Sequence, residues 1–189
     1  MELSALETFL GGHPRFDETA LTKGSMPAWA HLACLTGALA GPRPTLGATY
    51  KFECGIQGTL KADLVVRRSD DSFVFVEFEG GGPTGLFTGD KRSRDWSRRI
   101  EHATSQVIDW DWAPNDNRQT SVLQSGLGAK PDAVYFLIVC GRDSGLKDAS
   151  ERERLVHGRE SLQIKGRSLS ILTWDQYAKE LRAQITERS

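Results

Sequence analysis

The segment Phe73-Val74-Phe75-Val76-Glu77-Phe78-Glu79, followed by Gly80-Gly81-Gly82-Pro83, carries the residues best able to do chemistry. An apolar run of this kind reads as a buried strand, yet two carboxylates stand two apart at its end. Residues i and i+2 of a strand share a face, so Glu77 and Glu79 point the same way. Acids paired in a poorly solvated place raise each other's pKa, and a divalent cation relieves them. A third acid comes from the preceding strand, Leu60 to Arg67, because the turn formers Ser69-Asp70-Asp71-Ser72 imply an antiparallel hairpin that sets Asp63 near Glu77. Lys61, two residues earlier, is expected on the face of Asp63. Asp63, Glu77 and the Phe78 carbonyl between the glutamates offer hard oxygen ligands for Mg²⁺ or Mn²⁺. Such an ion polarises a phosphoryl oxygen and acidifies water, which is what phosphodiester hydrolysis requires. Glu79 is read as the base that takes the water's proton or as a ligand for a second ion. Strand acids also occur as solvated ends or salt-bridge partners; the unbroken apolar run and the glycines favour a site.

The elements that must position these residues follow from periodicity. Ser93 to Trp112 reads as one helix whose buried stripe is Trp96, Ile100, Ala103, Val107 and Trp110. Lys91, Arg92, Arg94, Arg98 and Arg99 crowd its beginning, where a phosphate backbone would pass; a solvated charged face is the alternative. Gln106, one turn before Trp110, can hydrogen-bond a nucleotide or a catalytic acid, or lie at the surface. Glu53, on the first strand of the meander, joins the acids or lines the sheet edge. His13, His31, His102 and His157 have no ligand spacing, and neither a phosphate loop nor a Gly-x-Ser-x-Gly elbow occurs.

Around this pair of elements the chain reads as helix, three strands, helix, strand, helix, strand, helix. Helices are expected over 1–10, from Ser25 to Gly41, over 150–164 and over 174–186. Strands are expected over 46–54 and 168–173, with a central one from Ala133 to Cys140. The order predicts an α/β sandwich in which an antiparallel three-strand meander is extended by crossover strands into a mixed sheet flanked by helices. Residues 1–45 are expected as a helical segment packed on the core, and 46–189 as the main domain. Residues 114–130 read as a long polar loop. With 189 residues, 39% of them hydrophobic, and a net charge of −1, the chain fits a soluble domain whose overall charge selects no partner. Three scattered cysteines and the lack of a signal or membrane segment predict a reducing cytoplasmic setting without membrane association.

In sequence order, Asp63, Val76-Glu77-Phe78-Glu79, Gly85-Leu86-Phe87-Thr88-Gly89, His102-Ala103-x-x-Gln106-Val107-x-Asp109-Trp110, Val139-x-Gly141-Arg142 and Leu172-Thr173-Trp174-Asp175 together resemble the Shedu-type antiphage nuclease domain, a branch of the PD-(D/E)XK superfamily. The likeness spans roughly residues 50–185. It implies a restriction-endonuclease-like core and metal-dependent cleavage of DNA in bacterial defence. The motif aspartate falls on Asp63 and the motif glutamate on Glu77. The helical Gln-x-x-x-Tyr of many relatives reads Gln106-x-x-x-Trp110 here, so the glutamine transfers and the tyrosine hydroxyl does not.

Glu79 stands where the superfamily has lysine, and a glutamate supplies no positive charge to the transition state. Three readings follow: Glu79 works as base or ligand, a lysine has migrated (Lys61, or more loosely Lys91), or catalysis is lost and binding kept. The expected function is thus a Mg²⁺-dependent DNA endonuclease. The alternative is a catalytically silent module that binds nucleic acid or a partner protein. A homo-oligomer or a larger defence assembly is also expected, since relatives commonly carry an additional N-terminal region.

Overall fold

The computed structural model describes residues 2–57, 60–82, 85–89, 94–112, 128, 133–164 and 166–188. Its strands are β1 (Gly47–Gln57), β2 (Leu60–Arg68), β3 (Phe73–Phe78), β4 (Phe87–Thr88), β5 (Asp95–Trp96), β6 (Val134–Val139), β7 (Gln163–Ile164) and β8 (Arg167–Leu172). The helices are α1 (Glu2–Gly12), α2 (Thr19–Thr22), α3 (Ala30–Thr36), α4 (Arg98–Trp112), α5 (Ala149–Ser161) and α6 (Trp174–Thr186). Six strands form one sheet in the order β1-β2-β3-β6-β8-β7, and β4-β5 form a separate ribbon. The meander β1-β2-β3 is antiparallel, whereas β3, β6 and β8 run parallel, so the sheet is mixed as expected.

β3 and β6 are central because nearly every residue in them is apolar, and a strand covered on both faces needs no polar side. Val74, Val76, Phe78, Leu137 and Val139 join a core with Leu3, Leu6 and Leu10 of α1, Leu32 and Leu35 of α3, and Tyr177 and Leu181 of α6. Phe73, Phe75, Phe136 and Ile138 face the opposite way, against Ile100, Ala103, Val107 and Trp110 of α4 and Leu155 of α5. Each such side chain contributes roughly 1.5–3 kcal/mol on burial. Helix α1 therefore joins the main core through Leu3, Leu6 and Leu10 and braces the face opposite α4.

Several helix limits differ from the periodicity. The helix expected from Ser93 begins at Arg98, because Asp95–Trp96 pairs with Phe87–Thr88 as β5 on β4. Ser97 caps α4: its hydroxyl oxygen accepts from the Ile100 amide (3.3 Å), and the hydroxyl donates to the Gly85 carbonyl (2.5 Å). The helix expected over Ser25–Gly41 is broken into 3-10 turns at Met26–Ala28 and Gly37–Leu39 around α3, with Trp29 out of helical conformation at ψ 71°. Gly37 sits where a Cβ would meet the Gly47 amide nitrogen at 2.7 Å, so close approach to β1 governs that end. α5 stops at Ser161, and Gln163–Ile164 pairs with β8 as an edge strand. The closing helix matches expectation, with Thr173 and Gln176 forming a reciprocal capping box. Of the loop expected over 114–130, all but Gly128 lies outside the described residues.

Candidate active site

The β2-β3 ladder ends with Leu64 paired to Val76, so Asp63 and Glu77 are the next residues along the two strands. Glu77 lies on the α4 side of the sheet, in reach of Gln106. Asp63 Oδ2 accepts the Phe78 amide at 2.8 Å, and Glu77 Oε1 accepts Nε2 of Gln106 at 2.5 Å. One oxygen of each acid is thereby anchored. In extended backbone the N–H and C=O of one residue point toward the same neighbouring strand, so the Phe78 carbonyl lies on the Asp63 side of β3.

Glu79 continues the row just past β3. Its amide donates to the Val139 carbonyl at 2.8 Å, and its carbonyl accepts the Trp174 indole N–H at 2.7 Å. The indole in turn stacks on Phe78, with ring centroids 5.3 Å apart. The backbone that carries the two glutamates is thus clamped from β6 and α6, and its side chains inherit that rigidity. From α4, the residues at i, i+3 and i+7 are Arg99, His102 and Gln106, which share the helix face turned to the acids.

Burial sets the electrostatics. Glu77 is only 5% exposed and Glu79 8%. Burial pushes Asp63 up to about 7; Glu18, Glu53 and Glu79 add to the rise and the Phe78 amide opposes it. Glu77 is pushed up to about 9, by burial first and then by Asp63, Glu79 and Glu18, against the Gln106 hydrogen bond. Asp63 and Glu77 therefore titrate as a pair that retains protons near neutrality. Glu79 is also raised by burial and Glu18, while His102 and Arg99 pull it down.

Glu18 is the functional candidate that the sequence pattern missed. It sits 45 and more residues before the other acids, in a stretch that reads only as polar loop. The chain is brought back by Phe16, whose amide donates to the Gly81 carbonyl at 2.8 Å in an antiparallel bridge. The Phe16 ring occupies the space a Cβ on Gly81 would need. An isolated aromatic in a polar loop and a glycine run with no side chains were the available signals.

Lys61 is not where alternation predicted. Its ammonium is drawn to Glu53 at 3.8 Å, with side chains 62% and 50% exposed. The cause is a break in the two-residue period at Asp63: Ala62 belongs to the α4-side core and Leu64 to the opposite one. Across the ladder from that break, between the pairs Phe52–Leu64 and Cys54–Ala62, Glu53 has a φ of +48°. A non-glycine residue there is strained, and the outer half of the hairpin turns away with Lys61.

The basic cluster divides. Lys91 and Arg92 lie outside the described residues. Arg94 is committed within the fold: Nε and Nη2 grip the Glu151 carboxylate at 2.6 Å each, and Nη2 and Nη1 reach the Gly145 and Phe87 carbonyls at 2.8 and 3.3 Å. Its guanidinium ties the β4-β5 ribbon to α5, so Arg94 is not a free phosphate donor. Arg98 is exposed on the first turn of α4, and Arg99 lies beside Glu79 with Asp17 at 3.9 Å.

Among the described residues no three of His, Cys, Asp and Glu stand close enough to hold a metal ion as they are. The donor chemistry nonetheless fits a hard dication: two carboxyl groups each anchored through one oxygen, a carbonyl beside them, and raised pKa values that a bound cation would relieve by taking the place of the protons. A family model for the C-terminal part of Shedu protein SduA matches residues 29–177. The chain belongs to that family. Membership ties it to Shedu antiphage defence. No curated protein matches the chain. Within this Shedu domain two further motif positions prove to be architectural. Arg142 chelates Asp175 at 2.8–3.1 Å and donates Nη1 to the Leu10 and His13 carbonyls at 2.9 Å, which fastens the end of α1 to α6. No helix of the described residues is long and apolar enough to cross a membrane.

Proposed function

We propose that this Shedu domain is a metal-dependent nuclease that hydrolyses phosphodiester bonds of DNA. The observation that carries the reading is the pair of a half-buried Asp63 and a buried Glu77 at the end of adjacent strands, each with one oxygen anchored by a hydrogen bond from the fold. Asp63, Glu77 and the Phe78 carbonyl would hold Mg²⁺ or Mn²⁺, with Glu18 at hand for its charge. The ion, when bound, supplies Lewis-acid polarisation of a phosphoryl oxygen and a more acidic water. Glu79, whose pKa is raised by burial and by Glu18, accepts a proton from the attacking water. The water oxygen bonds to phosphorus as the P–O bond to the leaving oxygen breaks, and solvent protonates that oxygen. Gln106 keeps Glu77 in one rotamer. Arg98 and Arg99 meet the nucleic-acid backbone, and Lys91 and Arg92 are proposed to extend that contact.

Cleavage of plasmid and linear DNA in Mn²⁺ tests the reading. Wild type is expected to cut, and Asp63→Asn and Glu77→Gln to lose about 100-fold or more. Equal cutting by wild type and both variants would show a contaminant and end the proposal. The second reading, a silent nucleic-acid-binding module, is favoured by one observation: Lys61, a candidate for a migrated motif lysine, turns out to solvent with Glu53. It requires metal-independent DNA binding without cleavage.

A further inference from the structure

The acid at position 79 leaves the proposed reaction centre without the cation that the transition state demands, and α4 brings one to it. Arg99 lies next to Glu79, whose pKa it lowers together with His102. Its Nη1 packs over Gly80, where any Cβ would collide with the guanidinium and with the Phe16 carbonyl oxygen. The bare backbone at position 80 is what lets the cation come this close. A cleft of about 200 Å³ opens here, lined by Asp17, Glu18, Thr19, Glu79, Gly80 and Arg99. Arg99 is 46% exposed, so solvent and ligands reach it.

Its resting partner is weak. Asp17 stands 3.9 Å away with a side chain 91% exposed, an ion pair that water competes for at almost no cost. Asp17 is held at that spot by the same Phe16-to-Gly81 bridge that delivers Glu18. A carboxylate and a phosphodiester present similar pairs of anionic oxygens to a planar guanidinium, and the phosphate is the better bidentate match.

We propose that Arg99 is the cation of the reaction centre, binding the non-bridging oxygens of the scissile phosphate, and that Asp17 holds its place until nucleic acid displaces it. The inference rests on the nuclease reading above and adds to it both a catalytic cation and an internal competitor. Arg99 then does from the helix what a lysine two residues after Glu77 would have done from the strand.

The test uses the full chain and two variants of opposite expected sign, Arg99→Gln and Asp17→Asn. Three readouts are taken: cleavage of linear DNA in Mn²⁺, anisotropy of a fluorescent ten-residue deoxythymidine oligonucleotide in Ca²⁺, and calorimetric titration of Mn²⁺. Arg99→Gln is expected to cut about 100-fold more slowly and bind the oligonucleotide about ten-fold more weakly, with Mn²⁺ binding retained. Asp17→Asn is expected to tighten oligonucleotide binding about three-fold, a gain that a merely structural contact would not give. If wild type does not cut but the two affinities move as stated, hydrolysis fails and the Arg99–Asp17 exchange stands. If wild type cuts and both variants match it in cutting and binding, the exchange is overturned and the nuclease reading survives. Loss of affinity in both variants overturns the competitor role of Asp17. A wild type that neither cuts nor binds overturns both proposals.

Discussion

Replacing Glu77 by glutamine should make the protein more stable at neutral pH, and the size of the gain follows from the site. In the fold Glu77 titrates at about 9, against an ordinary value of 4.5, because it is buried opposite Asp63. The native state therefore holds a proton that the unfolded chain releases, and stability falls as pH rises through that window, from about 4.5 to about 9. At pH 7.5, some three units into the window, the accumulated cost is roughly 3–4 kcal/mol at about 1.4 kcal/mol per unit. Asp63, raised from 3.8 to about 7, adds to the slope, although the pair shares its repulsion and the two contributions do not sum. Glu77→Gln removes the titration while its amide oxygen still accepts Gln106. The expected gain in Tm at pH 7.5 is about 6–16 °C for a chain of this size. Scanning calorimetry or urea unfolding between pH 5 and 9 measures it: wild type should lose stability with rising pH, and the variant should follow a much flatter line. Excess Mn²⁺ should flatten the wild-type line too, adding about 2.7 kcal/mol at one hundred times its Kd, and leave the variant unmoved. A wild type equally stable from pH 5 to 9, or a Glu77→Gln protein weaker than wild type at pH 7.5, would refute the claim that these carboxylates repel in a desolvated place.

Arg94→Met should lower stability by roughly 2 kcal/mol by orphaning Glu151, yet leave the salt dependence of DNA binding unchanged. Trp174→Phe keeps an aromatic ring on Phe78 but strips the donor from the buried Glu79 carbonyl, so thermal unfolding should drop by about 1–3 kcal/mol and cleavage by more than that loss explains. Gly81→Ala drives a methyl into the Phe16 ring, and limited proteolysis should then cut near Glu18 while the far-UV circular dichroism stays that of wild type.

The local parts of this site were legible because they depend on neighbours in sequence. The turn at Ser69–Ser72 fixed an antiparallel hairpin, and that alone brings Asp63 to Glu77. The 3.6-residue stripe of α4 gave the helix its buried face but left Gln106 between an acid and the surface, and the structure turns it to Glu77. Failures arose where a tertiary contact overrode a local pattern. Lys61 shares the parity of Asp63 but not its surroundings, since Glu53 at positive φ accompanies a break in the alternation at that level. Arg94 has the charge of a phosphate ligand, yet residues 95 and 96 leave the helix for a strand and carry it to Glu151. Glu18 had no local signal at all, because its position depends on one aromatic ring finding a glycine some 65 residues away.

The charge balance around β3 explains why such an arrangement persists in a fold that would be sturdier without it. Asp63, Glu77, Glu79 and Glu18 converge from three separate segments of chain: Glu18 and Glu79 raise both Asp63 and Glu77, Asp63 raises Glu77, and Glu18 raises Glu79. Packing would be served as well by amides or apolar groups of the same size, which lack the desolvation penalty. The surrounding structure instead stiffens the acids. The Phe78 amide and Gln106 pin one oxygen of each acid of the pair, Trp174 and Val139 pin the Glu79 backbone, and Arg142 pins the end of the helix from which Glu18 follows. Rigid support for mutually repelling groups stabilises nothing in the free protein. It lowers the cost of ordering those groups when a compensating charge arrives, which is the physical requirement of the cation site proposed for Asp63 and Glu77 and of the phosphate contact proposed for Arg99.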